Sequence, residues 1–171
     1  TNTVTLTVTD VHSNTNTCTA TVTVVDNIAP TVTCSNYSVD LSAGGTATIT
    51  PAMVNNGSND ACGILSLVLD VTNFTCANVG GNSVTLTVTD NNSNASTCTA
   101  TVTVNDVTPP AAICQNITVQ LSAGGTATIT AAQVDDGSND ACGIATLSVS
   151  PSSFGCANVG PNSVTLTVTD V

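Results

Sequence analysis

Asn82-Ser-Val-Thr-Leu-Thr-Val-Thr-Asp90, followed after a short polar stretch by Thr97-Cys-Thr-Ala-Thr-Val-Thr-Val104, decides how this chain folds. In the first run Val84, Leu86 and Val88 fall on one face and the threonines on the other. In the second the inward set is Cys98, Ala100, Val102 and Val104. Alternation with period two is the mark of a half-buried strand. Thr and Val are β-branched and suit a pleated surface. Tyr37, Val39 and Leu41 make a third such face, Ala47 with Ile49 a fourth, and Leu65, Leu67 and Leu69 a fifth. Gly44-Gly45, Asn56-Gly57 and Gly80-Gly81 supply turns between them. No stretch carries a convincing helical period, so the reading is all-β.

The same text recurs along the chain. Leu41 to Thr50 returns unchanged as Leu121 to Thr130, Gly57 to Ile64 as Gly137 to Ile144, and Thr17 to Val24 as Thr97 to Val104, a period of 80 residues in each case. Asn82 to Asp90 returns as Asn162 to Asp170, and nearly so as Asn2 to Asp10. Proline cannot continue a central strand, so boundaries fall at Asp26-Asn-Ile-Ala-Pro30 and Asp106-Val-Thr-Pro-Pro110. Residues 1–26 then read as the last two strands of a preceding repeat, 27–106 as one complete repeat, and 107–171 as a following repeat lacking its last strand. Short strands with turn signals about 8–12 residues apart predict tandem immunoglobulin-like β-sandwiches.

Composition excludes several functions. The chain has no Lys or Arg, its eleven acidic residues are all Asp, and its net charge is −11. Nucleic-acid backbones and anionic headgroups need cationic partners, so neither is an expected ligand. No window approaches the roughly 18 apolar residues of a membrane helix, and no membrane insertion is expected of this segment. The single histidine, His12, lies in a turn and is replaced by Asn92 one period on. With no tuned general acid or base, no nucleophile elbow and no phosphate loop, the chain is not expected to be an enzyme.

Eight cysteines stand at 18, 34, 62 and 76 and again at 98, 114, 142 and 156. There is no CxxC pair, so zinc spacing is absent. Such a pattern in small repeats with few aromatics reads as a disulfide framework made in an oxidising, extracellular compartment. With strands lettered A to G and antiparallel, Cys34 early in A and Cys98 at the start of G share one end, which predicts Cys34–Cys98. Cys62 lies in the B–C loop at that same end, and the short excursion between strands C and F is expected to bring Cys76 to it. Cys62–Cys76 and Cys142–Cys156 are therefore expected, with Cys18 and Cys114 left to partners outside the fragment. Cys18–Cys34 and Cys98–Cys114 would have to span strand G, against a Cα separation limit of about 7 Å.

The same end gathers carboxylates. Asp26, Asp60 and Asp90 are expected together in the complete repeat, and Asp106, Asp136, Asp140 and Asp170 in the next. Calcium takes about six to eight oxygens and would stiffen such a joint. Asp also caps turns and ends strands without any ion, and that plainer role stands beside the calcium reading. No other cofactor is required.

Pro109-Pro110 with Cys114, Asp60-Ala-Cys62-Gly63, Val84 to Asp90, and Cys98 to Asp106 together resemble the hyalin-repeat (HYR) domain, an immunoglobulin-like module. The Thr/Asn/Ser-rich flavour, with Cys-Ala-Asn-Val-Gly at 76–80 and 156–160, is similar to repeats in very large Bacteroidetes surface proteins, including gliding-motility adhesins exported by type IX secretion. The resemblance implies a cell-anchored, extracellular repeat array. The expected function is a structural stalk or spacer of a cell-surface adhesin or filament, whose immediate partners are neighbouring repeats of the same chain. Alternatives are a module binding surface polysaccharide or other cell-surface proteins, and a filament subunit polymerising by strand exchange.

Overall fold

The computed structural model describes residues 2–171. The alternating runs form β1 (Asn2–Thr9), β2 (Thr15–Val22), β3 (Tyr37–Asp40), β4 (Thr46–Thr48), β5 (Ile64–Leu69), β6 (Asn73–Thr75), β7 (Gly80–Asp90) and β8 (Ala95–Asn105). They continue as β9 (Thr126–Thr128), β10 (Ile144–Ser150), β11 (Ser153–Gly155) and β12 (Thr165–Asp170). The fold is all-β. Its helices are single turns: α1 (Pro51–Val54), α2 (Ala131–Val134), and 3-10 turns at Cys76–Asn78 and Cys156–Asn158. Four residues are too few for a 3.6-residue period to register in the sequence. Pro51 begins α1, where its missing N–H and fixed φ are suited to a first helical turn.

Within residues 27–106 the strands order as β3-β8-β7-β5 in one sheet, with β4 paired to β6 separately. β8 and β7 are the two inner members. β8 runs parallel to β3, with Tyr37 opposite Val102, and antiparallel to β7, with Leu86 opposite Cys98. The inward faces of these strands meet Leu41, Ile49, Val54, Leu69 and Phe74 in one cluster. Val84, Leu86, Val88 and Val102 have no solvent exposure at all. Phe74, set opposite Ala47 in the β4–β6 pair, is the only phenylalanine in this core.

Leu65 departs from the expected face. The β5–β7 register shifts between Ile64 and Ser66, and this bulge turns Leu65 to solvent while Leu67 and Leu69 remain inward.

Residues 107–171 repeat part of this arrangement. β9 pairs with β11 as β4 does with β6, and β10 with β12 as β5 does with β7. Residues 117–120, equivalent to β3, form no strand, and no described strand occupies the place of β8. Only Ile129, Val134 and Leu166 are buried there. β1 and β2 form a hairpin by themselves.

Identical residues therefore have opposite fates: Leu86 is fully buried while Leu6, its counterpart in β1, is 61% exposed. Truncating Leu86 to Ala should lower unfolding free energy by about 2–5 kcal/mol, since the cavity opens in a closed core. Leu6→Ala should change it by less than about 0.5 kcal/mol. Urea unfolding of the two variants, followed by circular dichroism, checks the contrast.

Candidate functional site at the joint between segments

Two disulfides are formed, Cys34–Cys98 and Cys76–Cys142, with Cα separations of 5.9 and 5.1 Å. Cys18, Cys62, Cys114 and Cys156 are free and exposed. The expected Cys62–Cys76 and Cys142–Cys156 pairs are not those present. After β5 the chain crosses to pair β6 with β4, and this carries Cys76 past Thr46 to the far end of the segment. Cys62 stays at the near end, where β5 begins. Six residues of strand, about 3.3 Å each, separate the two ends. At the far end Cys76 meets the turn between β9/α2 and β10, where Cys142 lies, in the segment beyond the 105–110 linker.

Gly45 makes that approach possible. Its φ is +70°, and a Cβ placed there would lie 2.7 Å from Cys76 Sγ and 3.2 Å from the Ala141 Cβ. A bare backbone is needed because the cystine and the next segment both press on this turn. In the chain-entropy account, each disulfide restricts the unfolded chain by about 4 kcal/mol for loops of this length.

The carboxylates at the joint fall into pairs. Asp26 and Asp60 lie with Cys62, and Asp106 and Asp140 with Cys142, all ligand atoms of each group within 4.8 Å of one another. Asp60 Oδ1 accepts the Cys62 N–H at 2.7 Å, and Asp140 Oδ1 the Cys142 N–H at 2.7 Å. Asp26 and Asp106 cap the linkers by accepting the N–H of Ile28 and Thr108. Asp106 Oδ2 is buried and has no hydrogen-bond partner among the described residues. The Asp26 carboxylate, as a hydrogen-bond partner and through its charge, pushes the Cys62 thiol up, with Asp60 and Asp90 adding to the effect.

Asp90, Asp136 and Asp170 are not in these groups. Asp136 is exposed, and Asp170 ends β12 opposite Ile144. Asp90 is fully buried, and both of its oxygens are used inside its own hairpin loop. Oδ1 accepts the N–H of Asn92 and of Asn94 at 2.8 Å, and Oδ2 accepts Asn94 Nδ2 at 2.7 Å. Asn94 Nδ2 also reaches the carbonyls of Asp26 and Ile28, tying this loop to the preceding linker. Asp10 and Asn14 build the same loop between β1 and β2, where His12 contributes only its backbone N–H. The recurrent Asp-x-x-x-Asn spacing was the readable signal for this function of Asn94.

As a cation site the joint is a partial fit. The Asp106–Asp140 pair and the orphaned Oδ2 supply hard oxygens of the kind calcium takes. The Cys142 sulfur, being disulfide-bonded, is not a thiolate ligand. Two carboxylates leave most of a calcium coordination sphere to carbonyls and water.

Comparison with known proteins finds no family model that matches the chain and no curated relative. No described helix is long and apolar enough to cross a membrane.

Burial alone would raise the Asp90 pKa, but the Asn94 side chain and the N–H groups of Asn94, Asn92 and Ser93 outweigh it and hold the carboxyl below its ordinary value. Asp70 is lowered chiefly by the Thr85 N–H. A depressed folded pKa stabilises fully above the unfolded value of about 3.9 and is lost as pH falls through the folded one. The melting temperature should thus hold from neutrality to about pH 5 and fall steeply below about pH 4. Asp90→Asn should lower the neutral-pH plateau, and scanning calorimetry across pH reads both effects.

Proposed function

We propose that this chain is a load-bearing spacer: a run of tandem immunoglobulin-like sandwiches of hyalin-repeat type in the stalk of a secreted, cell-surface adhesin or filament. The observation that carries the proposal is the Cys76–Cys142 disulfide, which gives neighbouring segments a second covalent connection beside the linker. A single peptide linker permits swivelling and relative motion of domains. Two connections at separate points resist it, and that suits a stalk which must keep its direction. Disulfides also fit an oxidising compartment. The lack of Lys and Arg removes every trypsin-type cleavage site, which favours survival outside a cell. A glycan-binding role draws less support, since aromatic residues make up 2% of the chain and sugar platforms are usually aromatic.

Small-angle scattering of the oxidised chain should give one extended, well-defined particle. The Cys76→Ser/Cys142→Ser double variant should keep its secondary structure but scatter as a flexible pair of bodies. An unchanged profile in the variant, or selective binding of the wild type on a glycan array, would count against a spacer.

Calcium at the joint belongs to the same proposal, favoured by the unpartnered Asp106 oxygen beside Asp140. Burying an unsatisfied acceptor costs about 1–3 kcal/mol, which a bound cation would offset. Millimolar calcium should raise the melting temperature relative to chelator. Asp106→Asn should abolish that increment while raising stability in chelator, where it removes one of two adjacent charges. Melts identical in calcium and chelator would retire the ion.

A further inference from the structure

We propose that Asn56 is a self-modifying site: the Gly57 nitrogen displaces its side-chain amide, and the native fold directs the product to aspartate. The proposal goes beyond the spacer reading and does not rest on it. Asn56-Gly57 is the one Asn-Gly dipeptide in the chain. Glycine brings no side chain to hinder the approach of its nitrogen to the preceding amide carbon, and asparagine is a labile residue in such a setting.

The surroundings leave the reaction open. Asn56 and Gly57 are both exposed, just past the end of α1. The Asn56 side chain makes no hydrogen bond among the described residues, and the Gly57 N–H has no acceptor among them. Nothing lies within 4 Å of the place that a Gly57 Cβ would take, so a ring closing at this residue has room. Asn55 and Asn94 are the contrast. Asn55 Oδ1 accepts the Ser58 N–H, and Asn94 Nδ2 is held by Asp90 Oδ2.

Attack of Gly57 N on Asn56 Cγ forms a C–N bond and expels ammonia, which carries away the Gly57 proton and leaves a cyclic imide. Water then opens the imide at one of two carbons. Opening at Cγ breaks the new bond and leaves aspartate. Opening at the main-chain carbon breaks the original peptide bond and leaves isoaspartate, with an extra methylene in the backbone.

Two features of this loop favour opening at Cγ. The backbone is pinned on both sides of the reacting peptide, by Asn56 N–H to the Thr33 carbonyl and Asn59 N–H to the Thr31 carbonyl, each at 2.9 Å. An added methylene between these bonds would throw the pairing out of register. The other repeat, moreover, already carries the acid. Asp136-Gly137 stands where Asn56-Gly57 does, and the Asp136 N–H reaches the Ile113 carbonyl at the same 2.9 Å. Gly57 and Gly137 share a positive φ, +78° and +88°. Aspartate therefore suits this loop without rearrangement, and conversion adds one carboxylate, which makes the net charge of −11 more negative by one.

The test is incubation of the oxidised 171-residue chain in water enriched in heavy oxygen, at neutral and mildly alkaline pH, followed by peptide mapping. Acid bearing one heavy oxygen should accumulate at position 56 ahead of every other asparagine. It should form faster at the higher pH, because the attacking nitrogen must lose its proton. A methyltransferase specific for isoaspartate should label the urea-unfolded chain more than the native one. Asn56→Gln should abolish the new acid, and Asn56→Asp should melt at the wild-type temperature. Retention of the amide at 56, earlier conversion of another asparagine, isoaspartate predominating in the native chain, or a destabilised Asn56→Asp variant would each overturn the proposal. None of these outcomes touches the Cys76–Cys142 connection on which the spacer reading stands.

Discussion

Closure of the core by one strand governs the rest of this molecule. With no tryptophan and two phenylalanines in 171 residues, a segment has little apolar volume to hide, and six of the eleven buried apolar residues of the core sit on alternate residues of β7 and β8. When β8 lies between β3 and β7, valines and leucines of ordinary size reach complete burial. Where that strand is missing, the same residue types stay half-exposed and the segment equivalent to β3 does not become a strand. β3 is thus a consequence of β8: a four-residue strand paired on one edge has no independent reason to form.

The joint follows from the ends of those strands. Hairpin loops and linkers collect there, and the only charged side chain available to organise them is aspartate. Buried Asp90 shows what this achieves, spending both oxygens on its own loop while Asn94 reaches back to the linker before it. Asp106, a chemically identical group, keeps one buried oxygen without a hydrogen-bond partner among the described residues.

The longer strands were legible because period-two alternation is written in them, whereas three-residue β6 and β11 are too short to show it, and the placement of Cys34 beside Cys98 follows from strand order alone. Leu65 was not legible, since a bulge breaks the alternation without a glycine or proline to mark it. The one-turn helices were too short to carry a period. The partner of Cys76 was not legible for a topological reason: the short excursion between β5 and β7 does not return Cys76 to Cys62, because β6 leaves to pair with β4. Its true partner is 66 residues away in the next segment, and no local pattern announces a contact across a boundary. The paired carboxylates were legible as a group but not as a selection, because Asp90 and Asp26 look alike until their hydrogen bonds are traced.

The two disulfides are interleaved: the loop from Cys34 to Cys98 overlaps the loop from Cys76 to Cys142. A single backbone cut at any point between Cys34 and Cys142 is therefore bridged by at least one cystine, including a cut in the 105–110 linker. Nicking such a chain once does not sever it. Damage tolerance of this kind arises from the order of four sulfur atoms along the sequence, with no contribution from the strength of any interface.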